Sequence, residues 1–363
     1  MAMSVSTRST ALEPKVGGSR FTFILVVYGL VILTVALFVL FSILRPTTFP
    51  TVLNFQLLAS AKAPLLIMAL AVTVPMVTGK IDISVGYNAG LWQVLVLSWQ
   101  INGMDYRIAI ILALIGGALV GLLNALLVEL AQVDAFLATM ASGQVVYSIT
   151  MWYTGGQQIT DAKGNRAAAF DAMTSWSLFG IPGPFIIALL VALGLWIVLQ
   201  YLPIGRLLYA VGANPAAAQL SGIPRRSCIV SAMISSGVLA ALAGVLLASR
   251  QMGVAQANIG PDFLFPALAA AFLGSTTIKP GRVNAAGTVI GLLITTIGIS
   301  GLQQLLPGKF YLEPLFNGLA LIAAITIASI ATRARISKTE TEKPVSRTEG
   351  GGTESDSQIP KPE

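Results

Sequence analysis

The sequence predicts an all-α polytopic membrane protein of about ten transmembrane helices, with the N- and C-termini cytoplasmic. Three observations carry this prediction. Hydrophobic types make up 55% of the 363 residues and charged types only 10%, whereas a soluble domain carries about 25% charged residues. The mean hydropathy is +0.80. The apolar residues fall in runs of about 20, the length that crosses a bilayer core as a helix. A soluble fold would have too few polar residues to coat that much apolar surface. Lipid removes the need for the coat, and a helix satisfies its own backbone groups there.

Residues 1–22 read as a polar cytoplasmic N-terminal segment. The apolar run that follows is too long for the core of a signal peptide, so it is expected to be a retained first span. That span covers 23–44 and stops at Arg45-Pro46. The second covers 52–78. A break at Gly79-Lys80-Ile81-Asp82 separates it from a third that runs to 101. The fourth and fifth cover 108–130 and 135–153. A long polar stretch over 154–184 precedes the sixth, 185–202. A second polar stretch, about 203–227, precedes the seventh, 228–249. The eighth, 263–273, is short, which implies a broken or partial crossing. The ninth and tenth cover 283–305 and 311–330. Residues 23–331 thus form one transmembrane domain. Residues 332–363 have little to bury and are expected to be a disordered cytoplasmic tail.

Orientation follows from Lys and Arg in the short loops. With the N-terminus inside, alternation puts fifteen of them inside and six outside. The net charge of +7 does not indicate nucleic-acid binding, because the basic residues sit in gaps between apolar runs and not along one face. There is no His, which removes histidine-based metal sites and general bases. Cys228 is the single cysteine, so no intrachain disulfide forms. Gly79-Lys80 is followed by Ile81 and Gly308-Lys309 by Phe310, so neither is a phosphate-binding loop. Any ATP that drives the chain is hydrolysed by another subunit, and no cofactor or metal is expected on this one. Lys62, Glu129 and Asp134 fall near span ends. Lys62 is expected to snorkel to the outer interface, and the two acids to meet cytoplasmic water. Gly116, Gly117, Gly121, Gly237, Gly244, Gly287 and Gly291 are placed to let helices approach closely.

Two segments stand out. Gly79 to Gly86 puts two opposite charges beside glycines between apolar runs. Charge at membrane depth is costly, so this is either a cytoplasmic turn or an unwound segment lining or supporting a path. Gly205 to Ile223 holds a short helix between arginines. Asn214 caps it, Pro215 takes its first position, Ala216, Ala217 and Ala218 continue it, and Gly222 ends it after Ser221. So short a helix is marginal alone. It packs on the protein's own helix ends or docks a cytoplasmic partner.

This second segment resembles the G-R-x-x-Y-A-x-G-x-N-x-x-A-A-x-x-S-G-I stretch of ribose-type sugar permeases of ATP-binding-cassette (ABC) importers. Ile81–Gly86 resembles their G-I-D-L-S-V-G motif. Asn124, Phe136-Leu-Ala-Thr139, Thr154-Gly-Gly-Gln157, Leu273-Gly-Ser-Thr276 and Gly287-Thr-Val-Ile-Gly291 match further elements in the same order, over about residues 50–330. Pro215 stands where the family often has Glu, and Asp134 where it usually has Pro. The resemblance implies a membrane permease of the bacterial inner membrane. It implies a second permease subunit (the same chain or a different one), cytoplasmic ABC ATPases and a periplasmic substrate-binding protein as partners. Gly205, Arg206, Asn214, Pro215, Ala216, Ala217, Ala218, Ser221 and Gly222 would couple to the ATPase. A neutral sugar needs hydrogen-bonding and aromatic groups, and the candidates within or beside spans are Asp82, Ser84, Asn88, Trp92, Asn124, Gln144, Tyr147, Gln303 and Asn317. A self-contained ion-coupled transporter and a membrane scaffold are the competing functions.

Overall fold

The computed structural model describes residues 20–279 and 281–341, and side chains over 28–279 and 281–327. The helices α1 (Arg20–Leu44), α2 (Val52–Val77), α3 (Val85–Ile101), α4 (Tyr106–Glu129) and α5 (Ala135–Thr154) come first. The strand β1 (Ile159–Thr160), α6 (Ala168–Ser175) and the hairpin of β2 (Ser177–Leu178) and β3 (Ile181–Pro182) follow. Then come α7 (Gly183–Tyr201), α8 (Pro203–Ala213), α9 (Pro215–Leu220), α10 (Arg225–Arg250) and β4 (Val254–Ala255). The chain ends in α11 (Ile259–Gly274), α12 (Ala285–Leu305) and α13 (Leu312–Thr341).

Long helices occupy the ten ranges expected from hydropathy. Among the described residues five are long and apolar enough to cross a membrane, namely α2, α4, α7, α10 and α12, and α1, α11 and α13 hold shorter apolar stretches. The outer helices expose large apolar side chains: Ile43 on α1, Leu119 on α4, Leu190 on α7 and Ile322 on α13. That is the surface lipid requires and water would penalise.

α3 and α5 do not reach that apolar threshold, and for α3 the reason is position. It is enclosed by α4, α5, α10 and α11, with fourteen of its 17 residues buried. A helix walled in by protein carries polar side chains because neighbouring helices, not lipid, receive them. α10 is the other central element and packs on α2, α3 and, most extensively, α4. Its crossing with α4 is set by glycine. A Cβ on Gly117 would stand 2.5 Å from the Gly237 carbonyl oxygen, so only hydrogen fits between the two backbones. α11 and α12 meet in the same way at Gly274, Gly287 and Gly291.

Several features differ from the sequence reading. α11 is one continuous helix of 16 residues that begins at Ile259, ahead of the expected 263. At 1.5 Å per residue it is about 24 Å long. The polar stretch 154–184, for which no element was expected, contains α6 and the β2–β3 hairpin, and its β1 pairs antiparallel with β4. α13 continues to Thr341, past the boundary at 331; Ala, Arg and Lys there are good helix formers. Glu129 does not meet water. It is 3% exposed and paired with Arg225 at 2.9 Å. Glu129 ends α4 and Arg225 begins α10, where each helix dipole opposes the charge, so the pair offsets both penalties. Lys62 is ion-paired with Glu313 at 2.9 Å, and exposed Asp134 caps α5 by accepting from the Phe136 and Leu137 N–H groups. The N-terminal expectation for residues 1–19 and the tail expectation for 342–363 lie outside the described residues.

Candidate functional site

The break after α2 is a buried junction. α2 closes with Thr78 and Lys80 N–H groups both donating to the Pro75 carbonyl, at 2.9 and 3.1 Å. Gly79 then takes a positive φ of 78°, a conformation that costs glycine little. The chain turns inward, and Asp82 is fully buried. Its carboxyl accepts from the Ser84 N–H at 2.9 Å, the Ser84 hydroxyl at 2.6 Å and the Ser236 hydroxyl of α10 at 2.7 Å. Asn124 of α4 donates to Ser84 Oγ at 2.8 Å and accepts from the Ser142 hydroxyl of α5. Thr139 of α5 accepts the Ile83 N–H at 3.0 Å. One short unwound segment thereby ties α3, α4, α5 and α10 together. A buried polar group without a partner is costly, and here the groups supply each other.

Asp82, Ser84 and Asn124 are therefore brought together, with their polar atoms used inside the chain. Asn88 and Trp92 pair one to two turns further along α3, with the indole N–H donating to Asn88 Oδ1 at 2.6 Å. Gln144 donates to the Tyr87 hydroxyl at 3.1 Å, and Tyr147 meets the Tyr87 ring edge-on at 5.8 Å. Gln303 and Asn317 do not join them. They lie on α12 and α13, which pack on each other and on α11. Asn317 is buried with its Oδ1 unpartnered, and Gln303 is exposed near Glu313. Sequence reasoning missed Ser236 and Ser142, and named Thr139 only as part of a motif, without this role. The signal available was a hydroxyl in mid-span on the same helix face as buried small residues.

α5 has a second, outward face. Its inner face buries Ala135, Ala138, Thr139, Ser142, Gly143, Val146 and Thr150. Gln144 and Ser148 point outward beside Val145, Ile149 and Trp152 and line a shallow recess. No residue of α5 is charged.

The α8–α9 element is the other candidate site. α8 is amphipathic and buries Gly205, Leu208 and Val211. Gly205 lies against the Val198 and Leu199 carbonyls of α7, where a Cβ would clash. Arg206 is exposed. Asn214 caps α9 by accepting the Ala217 N–H at 3.0 Å, and Pro215 opens the helix. Ala218 alone is buried; Pro215, Ala216, Ala217 and Ser221 are exposed and Leu220 is 91% exposed. Ser221 returns its hydroxyl to the Ala217 carbonyl at 2.9 Å, and Gly222 ends the turn at φ 78°. The helix stands out from the bundle, capped at its start, with apolar side chains facing outward.

A bundle of apolar helices around a buried polar break, with a capped helix projecting from it, defines the class: an all-α polytopic membrane protein. The chain belongs to the permease family described as branched-chain amino acid transport system / permease component, which matches residues 54–330. It is similar to the ribose import permease protein RbsC of Bacillus subtilis (strain 168), at 35% identity over 80% of this chain and 89% of that one. It is 30% identical to the D-allose transport system permease protein AlsC of Escherichia coli (strain K12), over 84% and 92% of the two chains. It is 32% identical to the autoinducer 2 import system permease protein LsrD of Escherichia coli O9:H4 (strain HS), over 66% and 72%. No solved structure matches it significantly.

Proposed function

We propose that the chain is the permease subunit of an ABC importer that carries a sugar or sugar-like small molecule across the bacterial inner membrane. The observation that carries this reading is the α8–α9 element. A capped two-turn helix with Leu220 almost fully exposed is a docking surface, and the chain has no phosphate-binding loop of its own. A separate ATPase would seat on Arg206, Ala216, Ala217 and Leu220. The family and the relatives named above support an ATP-driven importer over an ion-coupled transporter.

In this reading the ten long helices cross the membrane in turn, with α8 and α9 and both termini on the cytoplasmic side, which the Lys and Arg distribution favours. The outer loop with α6 and the β2–β3 hairpin receives a periplasmic binding protein. A second permease subunit covers the outward face of α5. The substrate passes along that face, where Gln144, Ser148 and Trp152 offer hydrogen bonds and a ring without charge. An uncharged lining suits a polyhydroxy compound; a zwitterionic amino acid would need counter-charges. Asp82, Ser84, Asn88, Trp92, Asn124 and Tyr147 support the path from behind.

The test is reconstitution of the chain with its ATPase and binding protein in vesicles, followed by uptake of labelled ribose, allose and leucine. ATP-dependent sugar uptake with none from an ion gradient is expected. Uptake from the gradient alone overturns the reading.

A further inference from the structure

A cleft of about 250 Å³ lies where α7, α8 and the start of α12 meet, lined among others by Trp196, Gln200, Tyr209, Lys279, Ala285 and Ala286. One cation, Lys279, lines it, and a second, Arg282, packs against its Tyr209 wall. Lys279 donates to Gln200 Oε1 at 2.7 Å, which leaves two of its N–H donors. The Arg282 guanidinium lies over the Tyr209 ring, 3.6 Å from its centre, while the Tyr209 hydroxyl donates to the Val283 carbonyl at 2.7 Å. Among the described residues the ion pairs are Lys62–Glu313, Arg166 with Asp161 and Asp171, and Arg225–Glu129. Lys279 and Arg282 have no carboxylate partner in that set.

The cleft opens onto a lipid-type surface. Leu189, Leu193, Trp196 and Gln200 fall at helical spacing on one face of α7, and all four are exposed. An apolar stripe thus runs down α7 and ends at Gln200 and Lys279. Trp196 and Tyr201 meet edge-on at 5.1 Å beside it, and Trp and Tyr favour the headgroup level of a bilayer. Two cations without a carboxylate partner among the described residues, below an apolar stripe, match one occupant, a molecule with a phosphate head and an acyl tail.

We propose that this cleft binds the headgroup of an anionic phospholipid, with the phosphate at Lys279 and Arg282 and one acyl chain along Leu189, Leu193 and Trp196. Basic pockets between helices on the cytoplasmic side take such headgroups. The site joins α8, which carries the docking helix, to the loop before α12, so the lipid would brace the element that meets the motor. Placement in the inner leaflet rests on the inward orientation of α8 proposed above. Headgroup preference in detergent does not, so the two ideas fail separately.

The experiment is native mass spectrometry of the full chain in detergent, titrated with phosphatidylglycerol and phosphatidylcholine of the same acyl chains. The wild type retains phosphatidylglycerol about thirtyfold more strongly, the scale of two surface cations. Lys279→Gln loses most of that preference, and Ala286→Trp, which fills the cleft without changing charge, lowers retention of both lipids. Lys309→Gln, on the loop between α12 and α13, behaves as wild type. Equal retention of the two lipids by the wild type overturns the proposal, as does an undiminished preference in Lys279→Gln. Displacement of phosphatidylglycerol by millimolar inorganic phosphate, or by the ATPase, also overturns it, since the site would then be a plain anion site or a protein interface.

Discussion

The Ser236 hydroxyl of α10 donates to the Asp82 carboxyl across 2.7 Å, joining residues 154 apart in the sequence. Asp82 accepts three close hydrogen bonds and forms no ion pair among the described residues. Its removal leaves the Ser84 N–H, the Ser84 hydroxyl and the Ser236 hydroxyl without that acceptor. Each buried polar group left unpaired costs about 1–3 kcal/mol. Asp82→Ala is expected to destabilise the protein by about 3 kcal/mol or more and Ser236→Ala by about 1–2 kcal/mol, with the double variant less than additive. Thermal unfolding of the purified chain in detergent measures this, and full additivity would show that the two groups do not interact.

The α4–α10 crossing makes a sharper test of packing. A Cβ on Gly237 would press on the Gly117 carbonyl oxygen, a backbone atom with no rotamer to escape into. Gly237→Ala should cost about 1–3 kcal/mol by overpacking. Gly194 on α7 has no atom within 4 Å of its Cβ position, so Gly194→Ala should be neutral or stabilising by up to about 1 kcal/mol. Equal melting temperatures for the two variants would contradict the close approach.

The loop between α5 and α7 carries a carboxylate–guanidinium clasp that is expected to respond to pH. Burial raises the Asp161 carboxyl pKa, but N–H donors from Arg166 and Asn165 and the Arg166 guanidinium outweigh it, and the net shift is downward from 3.8. Arg166 also grips Asp171 at 2.9 Å, and the Asp161 N–H donates to the Gly253 carbonyl at 2.8 Å beside the β1–β4 pair. A carboxyl whose folded pKa lies below its unfolded value stabilises the fold above pH 3.8, and that contribution is lost as pH falls through the folded pKa. Wild-type protein should lose loop protection against proteolysis below about pH 4. Asp161→Asn should show the weaker protection already at pH 7 and little further change on acidification. The same acid profile in both would remove the clasp.

Docking of the motor is open to a charge test. Ala217 and Leu220 project from α9 into solvent. Ala217→Asp is expected to cut ATPase co-purification and uptake about tenfold or more, since a charge buried in an interface without a partner costs more than 1.4 kcal/mol. Membrane insertion and thermal stability should stay as in wild type. Normal co-purification with normal uptake would dismiss the docking role.

Much of this was legible in the sequence because it is local. Hydropathy located the long helices, and cap chemistry placed Asn214, Pro215 and Gly222 where the structure has them. Gly117 and Gly237 could be picked out as close-packing positions, though not as partners. What escaped depends on partners far along the chain. Ser236 and Ser142 look like any hydroxyl in an apolar helix until the fold turns them toward Asp82 and Asn124. The Glu129–Arg225 pair spans 96 residues, and a span-end acid reads as water-facing when its partner is unseen. β1 and β4 are two-residue strands on either side of α10, too short for any periodicity to reveal.

The most direct measurement uses the single cysteine, which is buried. In a Cys228→Ser background, Ala217→Cys is treated with a membrane-impermeant maleimide on right-side-out and inverted vesicles, with and without added ATPase. Labelling only in inverted vesicles, and protection there by the ATPase, is the predicted result. Labelling from the outer side, or no protection by the ATPase, would contradict the account of α9 as a cytoplasmic foothold for a separate motor.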